Sequence, residues 1–118
     1  MKKKIELKPD KSDRFLEPAP GDIIREYYYT ETWPKKEIEI GQWLVLGRRH
    51  VINEELFQSI GRARLYYCLV IKVNTDISWV NSRVGQTRGI ISQKFNSNKW
   101  EIVVESGLSW EEDKYDMG

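Results

Sequence analysis

Arg64-Leu65-Tyr66-Tyr67-Cys68-Leu69-Val70-Ile71-Lys72-Val73 is the stretch whose reading decides the fold. β-Branched and aromatic residues dominate it, and these suit a pleated, half-buried backbone. Side chains alternate between faces in a strand, so Leu65, Tyr67, Leu69, Ile71 and Val73 share one face and Tyr66, Cys68, Val70 and Lys72 the other. Both faces are largely apolar, which predicts a central strand. The apolar run from 65 to 71 is far shorter than the roughly 20 residues that span a membrane as a helix.

Upstream, Ile23-Ile24-Arg25-Glu26-Tyr27-Tyr28-Tyr29-Thr30 has strand composition, and Trp33-Pro34-Lys35-Lys36 breaks it. Glu37-Ile38-Glu39-Ile40 alternates with period two. After Gly41, Trp43-Leu44-Val45-Leu46 reads as a further strand ending at Gly47. Residues 53–61 are the one stretch with helix signals at both ends. Asn53 can cap the free N–H groups, Glu54 and Glu55 sit at the positive end of the dipole, and Gly61 can supply a left-handed stop. Leu56, Phe57 and Ile60 share a face of this two-turn helix, which is expected to pack on the sheet.

Downstream, residues 74–88 read as a long loop anchored by Ile77, Trp79 and Val80. Two strand-like runs, 89–95 and 100–105, flank Asn96-Ser97-Asn98-Lys99 and predict a β-hairpin. The register that opposes Phe95 to Trp100 gathers Ile91, Phe95, Trp100, Ile102 and Val104 on one buried face. Five or six strands with one short helix describe an all-β chain. Its 118 residues suit a small, partly open barrel better than a sandwich of seven or more strands. The expected organisation is an extended, proline-punctuated arm over 1–21, a barrel domain over 22–106 and an acidic tail over 107–118.

The net charge of +1 conceals opposed blocks. Residues 61–100 hold seven basic groups, Arg62, Arg64, Lys72, Arg83, Arg88, Lys94 and Lys99, against Asp76 alone. Such a window can bind phosphates or an acidic protein, or it can be covered by the Glu-rich middle or the acidic C-terminal segment. The candidate binding residues are therefore Arg62, Arg64, Arg83, Arg88, Lys94 and Lys99. Fourteen aromatic residues, five of them Trp, fill a small core efficiently, and any that stay exposed are interface candidates. Tyr28, Tyr66, Trp79 and Trp110 are those candidates; at least one ring of the Tyr27–Tyr29 run must face away from the other two.

Several chemistries lack their residues. One His and one Cys build neither a zinc site nor an intrachain disulfide. His50 lies beside Arg48 and Arg49 with no triad pattern, and Cys68 sits inside the central strand, as a buried structural thiol does. No stretch fits a phosphate-binding glycine loop, and Glu111, Glu112, Asp113 and Asp116 lack Ca-loop spacing. Neither a catalytic residue nor a metal or cofactor is expected. The lysine start is followed by Glu6, Lys8, Asp10 and Lys11 rather than an apolar segment, which points to a cytoplasmic protein without a membrane partner.

Pro20-Gly21-Asp22-Ile23-Ile24 resembles the opening of small SH3-like barrel proteins of bacteriophages and bacteria. The resemblance implies a non-enzymatic module in a virion or in host cytoplasm, bound to itself or to a host protein. The same opening, with Gly61-Arg62-Ala63-Arg64-Leu65, is similar to toxin endoribonucleases; there Arg88 and Thr87 are the nearest matches to the family's catalytic Arg and Thr/Ser. Three functions follow as expectations: a protein-interaction module first, a nucleic-acid-binding barrel second, a toxin-type ribonuclease third.

Overall fold

Gly41 stands between the two apolar runs of the second strand region without separating them. In the computed structural model, which describes residues 17–51, 63–96 and 99–111, residues 37–51 form one long strand. The elements are β1 (Ile23–Tyr29), β2 (Glu37–Val51), β3 (Ala63–Val73), β4 (Thr87–Ile91), a 3-10 turn (Ser92–Asn96) and β5 (Lys99–Val104). All pairings are antiparallel, in the order β4-β3-β2-β1-β5. Four strands meander, and the fifth returns beside the first. The sheet curls into a partly open barrel with β4 and β5 as its two free edges.

Gly41 explains how β2 serves both halves of that curl. Gly41 pairs with Glu26 of β1 on one side and with Val73 of β3 on the other. A Cβ at this position would stand 2.6 Å from the Lys72 carbonyl oxygen and 2.7 Å from the Trp43 ring. The absent side chain leaves that space to the Trp43 indole and the Lys72 carbonyl. Gly21 has a different role: its φ of +85° makes the turn of the Pro-Gly-Asp opening. There its N–H donates to the Val45 carbonyl at 2.7 Å, and the Asp22 carboxylate accepts from Ala19 and Ser106, both at 2.8 Å.

The core is the concave face: Ile24, Ile40, Trp43, Val45, Tyr66, Cys68, Val70, Ile90, Phe95, Trp100 and Ile102, with Ile77 from the 74–86 loop. The alternation is borne out from Tyr66 to Ile71, with Tyr66, Cys68 and Val70 inward and Tyr67 and Ile71 outward. The register slip at Ile71 then reverses the expected faces, turning Lys72 out to Glu39 and Val73 onto the core. β3 is an interior strand, paired with β2 on one side and β4 on the other, while β2 occupies the middle of the order.

The hairpin is corrected. β4 and β5 do not pair. The 3-10 turn carries the chain across the barrel mouth, burying Phe95 edge-on against Trp100 at 4.9 Å and beside Tyr66 at 5.6 Å. β5 then pairs with β1, setting Ile102 opposite Ile24. Phe95, Trp100 and Ile102 are buried as the pattern required, while Val104 lies on the exposed side. The pattern identified the apolar residues but not the neighbour that buries them. The helix expected over 53–61 and the ends of the arm and tail lie outside the described residues. Among the described residues no helix is long and apolar enough to cross a membrane.

Gly41→Ala is expected to destabilise the fold by about 1–3 kcal/mol through overpacking. That is a fall in Tm on the order of 5–15 °C for a chain of this size. Gly47→Ala, whose new methyl would meet only the Tyr67 ring at 3.8 Å, is the matched control and should shift Tm little in thermal melts.

Candidate interaction surface

Most charges of the barrel are spent on one another. On the outer, convex face Arg25 of β1 donates through Nε to Glu39 at 2.8 Å, through Nη1 to Glu101 at 2.7 Å and through Nη2 to Glu37 at 2.9 Å. Its guanidinium lies 4.6 Å from the centroid of the Tyr27 ring. Glu39 also accepts from Gln42 and from Lys72, both at 2.9 Å. A chain of ion pairs thus runs from β5 (Glu101) through β1 (Arg25) and β2 (Glu39) to β3 (Lys72). Burial favours the neutral form of Arg25, but the hydrogen bonds it donates to Glu37, Glu101 and Glu39 outweigh that and hold its pKa above the ordinary value. Burial likewise works to raise Glu39, and its bonds from Gln42, Lys72 and Arg25 bring it below the usual carboxylate range. Among the described residues no group of His, Cys, Asp and Glu is placed to hold a metal. The carboxylates that do converge meet on a guanidinium.

Inside the barrel, Arg88 of β4 donates to Glu26 of β1 at 2.9 Å and stacks 4.5 Å above the Trp43 ring. β1 and β4 are not sheet neighbours, so this contact spans the curled interior. At the opposite end, Glu17 accepts from the Tyr66 hydroxyl at 2.6 Å and from Arg48, and it pairs with Arg64 at 3.4 Å. Trp110 closes over this group, donating from its indole to the Pro18 carbonyl at 2.7 Å and stacking under Arg48 at 4.7 Å. Burial first, and the Glu17 carboxylate second, raise the Tyr66 hydroxyl well above its usual pKa.

These networks show where the sequence-predicted candidates stand. Arg64 and Arg88 are held by Glu17 and Glu26, acidic groups of the arm and the Glu-rich middle. Arg83, Lys94 and Lys99 are exposed, and Arg62 lies outside the described residues. Tyr66, expected at an interface, is fully buried, because β3 turns it inward onto Phe95. Tyr28 is the ring of its run that faces the core side, and Tyr29 is the exposed one. Trp110 is half-buried in its own packing, whereas Trp79 is 60% exposed and touches Tyr28. Thr87 and Arg88 follow each other in a strand and so point to opposite faces; they do not converge on one site.

No protein-family model, curated protein or solved structure matches this chain. The surface must be read from its own residues.

What remains after the ion pairs is an apolar row on the convex face. Val104 of β5 opposes Ile23 of β1, Ile23 opposes Leu44 of β2, and Leu44 opposes Leu69 of β3. Two large residues flank the row where the β2–β3 register slips, Leu46 and Ile71. Each falls at a skipped position, and they are 52% and 36% exposed. Tyr67, under the Arg49 guanidinium, extends the patch. Outward faces of antiparallel sheets are ordinarily polar. Alternation places Tyr67, Leu69 and Ile71 on this face, but their apolar composition reads as a strand buried on both sides rather than an open face.

Two predictions follow from the burial of charge and thiol. Arg25→Leu should destabilise by about 3–5 kcal/mol, because Glu101, only 1% exposed, then loses its partner while its other oxygen has none. Adding Glu101→Leu should recover much of that loss in urea unfolding, while Glu37→Gln alone should shift stability by less than about 1 kcal/mol. Burial also pushes the Cys68 thiol up to about 12, against a lowering by Arg88, and burial with Tyr29 and Glu101 nearby pushes Tyr27 to about 12. The unfolded chain ionises these groups earlier, so stability should fall as pH rises above about 9 and keep falling toward 12. Cys68 should react with a thiol reagent at pH 8 only at the rate of unfolding.

Proposed function

We propose that this chain is a non-enzymatic protein-interaction module whose docking surface is the convex face of the barrel. The observation that carries the reading is the apolar row Val104–Ile23–Leu44–Leu69 with exposed Leu46, Ile71 and Tyr67 beside it. Four strands about 4.8 Å apart make the row roughly 15 Å long. Its area is on the order of a few hundred Å², the class of patch that is often functional on a monomer. Half of a standard interface takes about 800 Å² per partner, and permanent assemblies take more. The size therefore favours a partner protein that docks and leaves over a permanently assembled subunit.

The charged chain Glu101–Arg25–Glu39–Lys72 runs beside the row and gives the patch a polar margin. A partner with an apolar centre and a mixed-charge rim fits that layout. The ribonuclease reading lacks comparable support, since Arg88 is engaged by Glu26 and Trp43 and Thr87 points away from it.

The test places a photo-crosslinking amino acid at Leu46 and, as a control, at exposed Asn81 in the 74–86 loop. Crosslinking in cells of the source should give one discrete adduct from position 46 that Ile71→Glu abolishes. Ile71→Glu should leave Tm within a few degrees, as surface substitutions do. An adduct with a second copy of the chain would identify self-association as the interaction. Equal, diffuse crosslinking from both positions, insensitive to Ile71→Glu, would overturn the proposal.

A further inference from the structure

The turns after β1 and after β3 lie at the same end of the barrel, together with the first residues of β4 and β5. This end holds the most exposed large aromatic of the described residues, Trp33, at 86%, in the 30–36 loop. Trp79 of the 74–86 loop stands here too, its ring 6.4 Å from Tyr28 and tilted 50° to it. Tyr28 supports Trp79 from the barrel side, so the outer part of the indole stays open. Tyr29 completes a set of three exposed rings.

Cations accompany the rings. Lys35 and Lys36 follow Trp33 directly, Arg83 lies in the second loop and Lys99 begins β5; all are exposed. None of the four has an ion-pair partner among the described residues, in contrast to Arg25, Arg64, Lys72 and Arg88. Glu37 and Glu39, the nearest carboxylates on β2, are engaged by Arg25 and Lys72. Glu31 and Asp76 are the exposed acidic groups of these two loops. The end of the barrel thus keeps a positive excess where its ring faces are open.

We propose that this loop end is a platform for single-stranded nucleic acid, separate from the convex docking face. Unpaired bases offer ring faces that stack on exposed indoles whatever their sequence, and lysines neutralise phosphates without dictating register. A duplex hides its base faces and would meet only the cations. The four cations are few, so binding should be modest and strongly salt-dependent. Three or four phosphate contacts give a slope of log K against log salt of roughly −2 to −3 for single strands.

The probe is a fluorescent oligothymidylate of about ten nucleotides, with a duplex of equal length as comparison. Anisotropy should show micromolar binding to the single strand at low salt, with the slope just given, and at least tenfold weaker binding to the duplex. Trp33→Ala and Trp79→Ala should each weaken binding about tenfold, and neither should lower Tm, since both rings are exposed. Lys35→Glu with Lys36→Glu should flatten the salt slope by about one or two. Ile71→Glu, on the convex face, should leave oligonucleotide binding unchanged, so the two surfaces fail or stand independently. Absence of binding at low salt, equal binding to duplex, or indifference to both tryptophan variants would overturn the proposal.

Discussion

The convex face of this barrel is organised around one guanidinium. Arg25 lies within a sheet whose edges are unpaired, and it is nearly buried although it points away from the core. Its planar fork has donors enough to satisfy three carboxylates from two flanking strands at once, which a lysine could not do. Glu101 is the dependent partner. It is buried on the edge strand β5, and without Arg25 an ionised carboxylate would be left in a poorly solvated place. The clasp therefore ties the returning strand to the meander from outside, while Ile24 and Ile102 do so from inside.

That constraint shapes the rest of the surface. Arg25 and Lys72 are consumed by Glu37, Glu39 and Glu101, Arg88 by Glu26, and Arg48 and Arg64 by Glu17. Residues from the first half of the chain thus neutralise Arg64, Lys72 and Arg88 of the basic stretch of the second. Two surfaces stay uncommitted: an apolar row beside the clasp and a cationic, aromatic loop end. Cys68 is sealed in the core with a raised pKa, and Arg88 inside the barrel is paired with the Glu26 carboxylate and stacked on the Trp43 indole.

How much of this was legible depended on which interactions are local. The strand at 64–73, the break at Trp33-Pro34 and the Pro-Gly-Asp turn follow from residue type and period, and the all-β barrel class followed from them. The pairing of β5 with β1 did not, because five residues of 3-10 turn between Ser92 and Asn96 look like the end of a strand. The seven-to-one charge window was real in the sequence, yet its meaning required knowing that Glu17, Glu26 and Glu39 reach across 47, 62 and 33 positions to Arg64, Arg88 and Lys72. Tyr66 illustrates the same limit. A tyrosine in a basic window reads as an interface residue until the strand's inward face is known. Leu46 and Ile71 escaped notice for the opposite reason, since composition assigns to the core two residues that simple alternation with Val45 and Val70 turns outward.

The central claim is that the convex face of the isolated chain lies open, with its apolar row available to a partner. Solvent paramagnetic relaxation of side-chain methyl groups by a neutral gadolinium chelate tests it directly, in dilute solution. The methyls of Leu46, Ile71 and Val104 should relax strongly, while those of Ile24, Val45 and Ile102 stay protected. Protection of Leu46, Ile71 and Val104 to the level of the core methyls, at dilution, would contradict the account.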